Sequence, residues 1–205
     1  MGEAKQRGVR LQKWIISLEG EAAVIARVAH DTYRKFVRPT HLIGGCYLTS
    51  FFLHSFLRRE RGIRTDLVVG WINDGTGPTM ASHAWIEYQG KKTDIALTLT
   101  EHPEIQLPGP LTILSEEFLK GKAAYTYHLE PSHEAVEAVS RMRRELPAQY
   151  ARAIAAKEEE HIQMQARSRN PALVDAYLDD APADRSYAAI ARIIFRDNNW
   201  EQDAN

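Results

Sequence analysis

Three side chains of this sequence have the types and the order needed for nucleophilic acyl chemistry. Cys46, the sole cysteine, follows the flexible pair Gly44-Gly45 and opens the apolar run Cys46 to Leu57. His83 stands at the head of the strand-like segment His83-Ala84-Trp85-Ile86-Glu87, and Asp94 follows in Lys92-Thr93-Asp94. A thiolate is the attacking species, and a neighbouring imidazolium or a helix N-terminus lowers a thiol's pKa from about 8.5 into the ~3.5–7.5 range. Cys46 is placed to have both aids. A carboxylate such as Asp94 would hold the histidine's tautomer and orientation, completing a nucleophile, base and orienter. Taken singly, each residue has an ordinary structural reading: a small buried hydrophobe, a strand histidine, a turn aspartate. Their order along one chain favours chemistry.

These residues must be held by elements whose traces are visible in the sequence. Leu11 to Lys35 carries helical spacing interrupted at Gly20, predicting two short helices, and Arg38-Pro39-Thr40 breaks it before the loop that leads to Cys46. From Cys46 the apolar residues Tyr47, Leu48, Phe51, Phe52, Leu53, Phe56 and Leu57 exceed one helical face, which predicts a helix buried on most sides, stopped by Gly62. Its N-terminal partial positive charge, near +0.5 elementary charge, would favour a thiolate.

Strands are expected over Thr65 to Ile72, Ala84 to Gln89 and Thr93 to Leu99, the last two joined by the turn at Gln89-Gly90-Lys91, with a final strand within Ala123 to Leu129. A short helix is expected over Ser115 to Lys120. Counting back from the turn puts His83 opposite Thr98 rather than Asp94, so a bulge, a longer loop or strong twist is needed to bring the two together. The loop from Asn73 to Ser82, with Gly75, Gly77 and Pro78, either borders a substrate cleft or merely joins strands. From Ser132 the pattern is helical, restarting at Pro147 and at Asn170-Pro171, with a last helix capped by Asp184 or Ser186 and running to Phe195.

The combination of Gly44-Gly45-Cys46 entering a helix, Gly62-Ile63 leading into Thr65-Asp66-Leu67-Val68-Val69-Gly70, His83-Ala84-Trp85-Ile86-Glu87 and Thr93-Asp94 resembles the transglutaminase-like branch of the papain-like cysteine enzymes. It is most similar to a small bacterial subgroup that includes the lasso-peptide maturation proteases. The resemblance covers residues 40 to 100. It implies an α+β fold with a papain-like core, the cysteine on a buried helix packed against an antiparallel sheet that carries the histidine and aspartate, flanked by N- and C-terminal helices. It also implies a cysteine-dependent amide hydrolase, a peptidase or deamidase, working through a Cys46-His83-Asp94 triad and a thioester. A transamidase with an amine acceptor uses the same triad, and an inactive binding module keeps the fold alone. The backbone N–H of Cys46 would be one oxyanion donor and Thr40 or His41 the source of a second, although Thr40 stands where the papain pattern has glutamine.

Length and composition bound the remaining classes. The 205 residues are 44% hydrophobic, enough for a core, and divide into a catalytic region 1–130 and a helical extension 131–205. Twenty-six basic against twenty-seven acidic residues give a net charge of −1, and Arg141, Arg143 and Arg144 are an isolated patch, so no nucleic-acid partner is expected. No run approaches the ~20 apolar residues of a membrane span. Trp14 to Leu18 is too short for a signal segment and is followed by Glu19 and Glu21. A single cysteine allows no internal disulfide, which suits a reducing, cytoplasmic setting. Neither cofactor nor metal is expected: Glu158-x-x-His161 has the spacing of a carboxylate-bridged metal ligand pair but lacks a second intact copy, and Cys46, His83 and Asp94 include no close-spaced ligand pair. The expected partner is a peptide or protein substrate.

Overall fold

The structure is a computed structural model that describes residues 3–100, 103 and 106–195. It is a mixed α+β architecture. Helix α1 (Glu3–Ser17) is separated by Leu18 and Glu19 from α2 (Gly20–Thr32), and Gly20, at φ 58°, opens α2 at the break that the sequence pattern predicts. A π-helical turn, Tyr33–Val37, prolongs α2 and delivers the chain to the loop before α3 (Cys46–Arg61).

Helix α3 is the centre of the molecule. Phe, Ser, Thr and His are mediocre helix formers, each up to ~0.7 kcal/mol worse than Ala. Burial overrides this: Phe51, Phe52, Leu53, Phe56 and Leu57 are fully buried, and each such side chain contributes about 1.5–3 kcal/mol. Gly62, left-handed at φ 67°, ends the helix after the exposed or half-buried Arg58, Arg59 and Arg61.

The main sheet is antiparallel, in the order β3-β2-β1-β6, from β1 (Asp66–Asn73), β2 (Ala81–Tyr88), β3 (Lys91–Thr93) and β6 (Thr126–His128). A second pair, β4 (Leu111–Ile113) and β5 (Glu116–Leu119), joins it through a bridge between Asp94 and Thr112 and a hydrogen bond from Ser115 N–H to Lys92 O. Two expectations are corrected here. The segment Ser115 to Lys120 is not a helix: Leu114 and Ser115 both adopt positive φ, 48° and 65°, forming a hairpin turn, and Phe118 is buried while Glu116 and Glu117 face solvent. The strand expected over Thr93 to Leu99 ends at Thr93, because Asp94 leaves β2 and pairs with Thr112 instead. The β2 strand also starts earlier than expected, so His83 is its third residue.

The C-terminal helices are α4 (His133–Glu145), α5 (Ala148–Ser168), α6 (Pro171–Asp179) and α7 (Tyr187–Phe195). Ser132, Asn170 and Ser186 cap α4, α6 and α7 with side-chain oxygens that accept from Ala135, Ala172 and Ala189 N–H groups. Met164, Val174, Leu178, Tyr187, Ile190 and Ile194 join the hydrophobic core built around α3. Polar clasps add to this: Ser55 and Arg58 of α3 both bind Asp175 of α6, and Tyr187 donates to Glu60 at 2.8 Å. Among the described residues no helix is long and apolar enough to cross a membrane.

Candidate active site

Two local features set Cys46 at the first position of α3. Gly45, its N-cap, lies over the buried side chain of Leu42, and any Cβ at this position would run into that leucine. Gly44 takes φ 65°, turning the chain into the helix. Cys46 is half-buried, and its N–H belongs to the first-turn amides that have no acceptor within the helix.

His83 is 4% exposed and Asp94 1% exposed. His83 Nε2–H donates to Asp94 Oδ2 at 2.7 Å, which leaves Nδ1 as the ring nitrogen for the thiol. Burial works to lower the imidazole's pKa, but the charges of Asp94 and Cys46 and hydrogen bonds to both outweigh it and push it up to about 10, far above the ordinary 6.5. The imidazolium is therefore the stable form at neutral pH, with a carboxylate on one side and the sulfur on the other.

The register that obstructed this contact on paper is resolved by two local devices. Gln89 and Gly90, at φ 50° and 74°, form a tight two-residue turn, and Tyr88, Glu87 and Ile86 pair with Lys91, Lys92 and Thr93. That register is shorter than the one counted from sequence and brings Asp94 nearer to His83. Asp94 then bends away from β2, its Oδ1 accepting from the N–H of Ala96 at 3.0 Å while its N–H donates to Thr112 O at 2.8 Å. The bend aims Oδ2 back at the imidazole.

A third donor completes the carboxylate's shell. Tyr127 of β6 donates its hydroxyl to Asp94 Oδ2 at 2.9 Å, and burial together with Asp94 raises its pKa, so it stays protonated. Gly70, paired with His83 across β1 and β2, makes this approach possible, because a Cβ there would collide with the His128 carbonyl and the Trp85 ring, which stacks edge-on against Tyr127 at 5.0 Å. Tyr127 was legible only as a strand tyrosine; nothing in its spacing ties it to Asp94.

Thr40 and His41 sit apart from this arrangement. Thr40 is exposed and spends its hydroxyl on Phe36 O at 2.7 Å, while His41 is exposed at φ 48° in the loop before Leu42, and neither lines the cleft at Cys46. The loop after β1 does border that cleft, through Thr79 and Met80.

The cleft has a volume of about 800 Å³ and is walled by the Cys46 and His83 side of the sheet and by the facing surfaces of α4 and α5. In it lies a second polar chain: Tyr47 OH is 2.6 Å from Ser82 Oγ, which is 2.5 Å from His161 Nδ1, and the His161 ring stacks on Trp71 at 4.3 Å. Burial lowers the His161 pKa, with Glu130 opposing, so this imidazole is neutral at neutral pH. His161 and Glu158 thus part company: Glu158 pairs with Arg143 of α4, and among the described residues no group of three or more His, Cys, Asp or Glu side chains is placed to share a metal. Comparison of the chain with family models, curated proteins and solved structures gave no match.

Proposed function

We propose that the protein is a cysteine-dependent amide hydrolase, a peptidase or deamidase with a transglutaminase-like, papain-like core, acting through Cys46, His83 and Asp94. The observation that carries this reading is a buried His83 bonded to Asp94, which also accepts from Tyr127, lining the same cleft as a thiol on a helix N-terminus whose charge, with that of Asp94, raises the imidazole's pKa. A structural cysteine has no need of a buried imidazolium, and burying that charge is costly unless it is paired.

In the reaction the Cys46 sulfur attacks an amide carbonyl carbon, forming a C–S bond as the carbonyl π electrons move to oxygen. The Cys46 N–H at the start of α3 is aimed to stabilise that oxyanion. Collapse breaks the C–N bond while His83 Nδ1–H protonates the leaving nitrogen, giving a thioester and a neutral imidazole. His83 then takes a proton from water, whose oxygen attacks the thioester and releases the carboxylic acid, restoring thiolate and imidazolium. Asp94 keeps the Nε2–H tautomer throughout and stabilises the charged ring.

The test is the rate of Cys46 alkylation by iodoacetamide against pH in the native protein and in His83→Ala. Fast alkylation below pH 7 that is lost in the variant supports a working thiolate–imidazolium pair. Slow alkylation that needs alkaline pH in both proteins refutes it and leaves a binding module.

A further inference from the structure

Helix α4 is amphipathic, yet of its residues only Ala135 is buried. Its apolar stripe of Ala135, Val136, Val139 and Met142 faces the cleft rather than the core, and Val136 remains 50% and Met142 37% exposed. An apolar helix face left half exposed over an open cleft is a surface for something else to bury. The helix is not adrift: Arg143 binds Glu158, fixing α4 to α5 beside the cleft. At about 800 Å³ the cleft lies within the ~300–1,000 Å³ range of ligand sites.

The same cleft offers polar groups spaced among the apolar ones. A phenol is a stronger acid than an alkanol and an imidazole a stronger base, so the hydrogen bonds run from Tyr47 to Ser82 to His161 Nδ1. This direction places the remaining proton of His161 on Nε2, a donor for whatever occupies the cleft, on a ring fixed by Trp71. The Thr100 hydroxyl, also in the lining, is buried with no hydrogen-bond partner among the described residues. A lining that combines apolar surface with single hydrogen-bonding groups suits an extended peptide, which presents side chains and amides together. A plain acyl chain would leave the polar groups unpaired.

We propose that the α4–α5 hairpin is the specificity element of the site, receiving bulky apolar side chains of an extended peptide on the Val136, Val139 and Met142 face while His161 Nε2–H donates to a peptide carbonyl. This rests on the acyl-transfer reading of Cys46. Recognition thereby comes from the helical third of the chain and chemistry from the sheet and α3.

Chloromethyl ketones that alkylate Cys46 test this without knowledge of the natural substrate. Rates are measured by intact mass for acetyl-Leu-Leu chloromethyl ketone, for acetyl-Gly-Gly chloromethyl ketone and for 1-chloro-2-decanone, which has apolar surface but no amides, each divided by the iodoacetamide rate of the same protein. The Leu-Leu reagent should exceed both others by about tenfold or more, as expected for filling an apolar pocket. Val139→Glu and His161→Gln should each erase most of that excess, while Ile16→Glu on α1, exposed far along the chain, should retain it. Equal ratios for the three reagents with a fast, His83-dependent iodoacetamide reaction would overturn the specificity proposal and leave the catalytic reading standing. Preference for the alkyl ketone would overturn it in favour of an acyl-chain site, and a slow, His83-independent iodoacetamide reaction would bring down both readings together.

Discussion

Replacing Asp94 by asparagine keeps the shape of the site and removes the charge on which the mechanism depends. Asp94 is buried and accepts from three donors, His83 Nε2, Tyr127 OH and the Ala96 N–H. Of the influences on His83, burial lowers its pKa and the Asp94 charge is the foremost that raises it. A hydrogen bond to a charged group is worth about 1.5–3 kcal/mol, and each ~1.4 kcal/mol is tenfold in an equilibrium, so the imidazolium should be disfavoured by about one to two orders of magnitude. That lowers a His83 pKa of about 10 by about one to two units, close to the ~8.5 of an unaided thiol, so the proton is shared about evenly between sulfur and ring and the iodoacetamide rate at pH 6.5–7 should fall by up to about fourfold, recovering at alkaline pH where the thiol ionises without help. The His83 ring proton, followed by NMR, should titrate at lower pH than in the native protein. Urea unfolding of the variant separates this from simple loss of fold. A folded Asp94→Asn protein in which His83 titrates where it does in the native protein would refute the argument that the carboxylate maintains the imidazolium.

Other perturbations follow from the same geometry. Tyr127→Phe removes one donor but keeps the charge, costing about 0.5–1.5 kcal/mol of that contact, so it should slow alkylation less than Asp94→Asn does, by the same mass assay. Because the folded pKa of His83 lies above its ordinary 6.5, its stabilising contribution is complete below about pH 6.5 and is lost as pH rises toward 10; the urea midpoints of native protein and His83→Gln should therefore converge across that window. Gly45→Ala forces a Cβ into Leu42 and should displace Cys46, lowering both thermal stability and alkylation rate, whereas Gly77→Ala, with open space around its Cβ site, should change neither. Asp175→Asn loosens the Ser55 and Arg58 clasp between α6 and α3, and with side chains about a quarter to a third exposed it should cost about 1–2 kcal/mol, roughly 2–4 °C in melting temperature per kcal/mol by calorimetry.

Local sequence determined much of this molecule because some signals depend only on neighbours in the chain. The run from Tyr47 to Leu57 demanded a buried helix, Gly62 its end, Gly20 a break between α1 and α2, and Ser132 and Asn170 the starts of α4 and α6; each followed from periodicity or capping chemistry. The types and order of Cys46, His83 and Asp94 were also visible. Their contact was not. It depends on a two-residue turn that shifts register and on Asp94 abandoning β2 for Thr112, a choice settled by a partner distant in sequence. For the same reason Ser115 to Lys120, helical by local preference, became a strand once Phe118 could pack into the core beside Trp14. Tyr127, Ser82 and His161 entered the site only through long-range packing. No spacing rule links a β6 tyrosine to Asp94, or an α5 histidine to Ser82, because hydrogen bonds across elements are fixed by how layers meet rather than by separation along the chain. The chain carried the reagents in legible order, and the tertiary structure decided which of them touch.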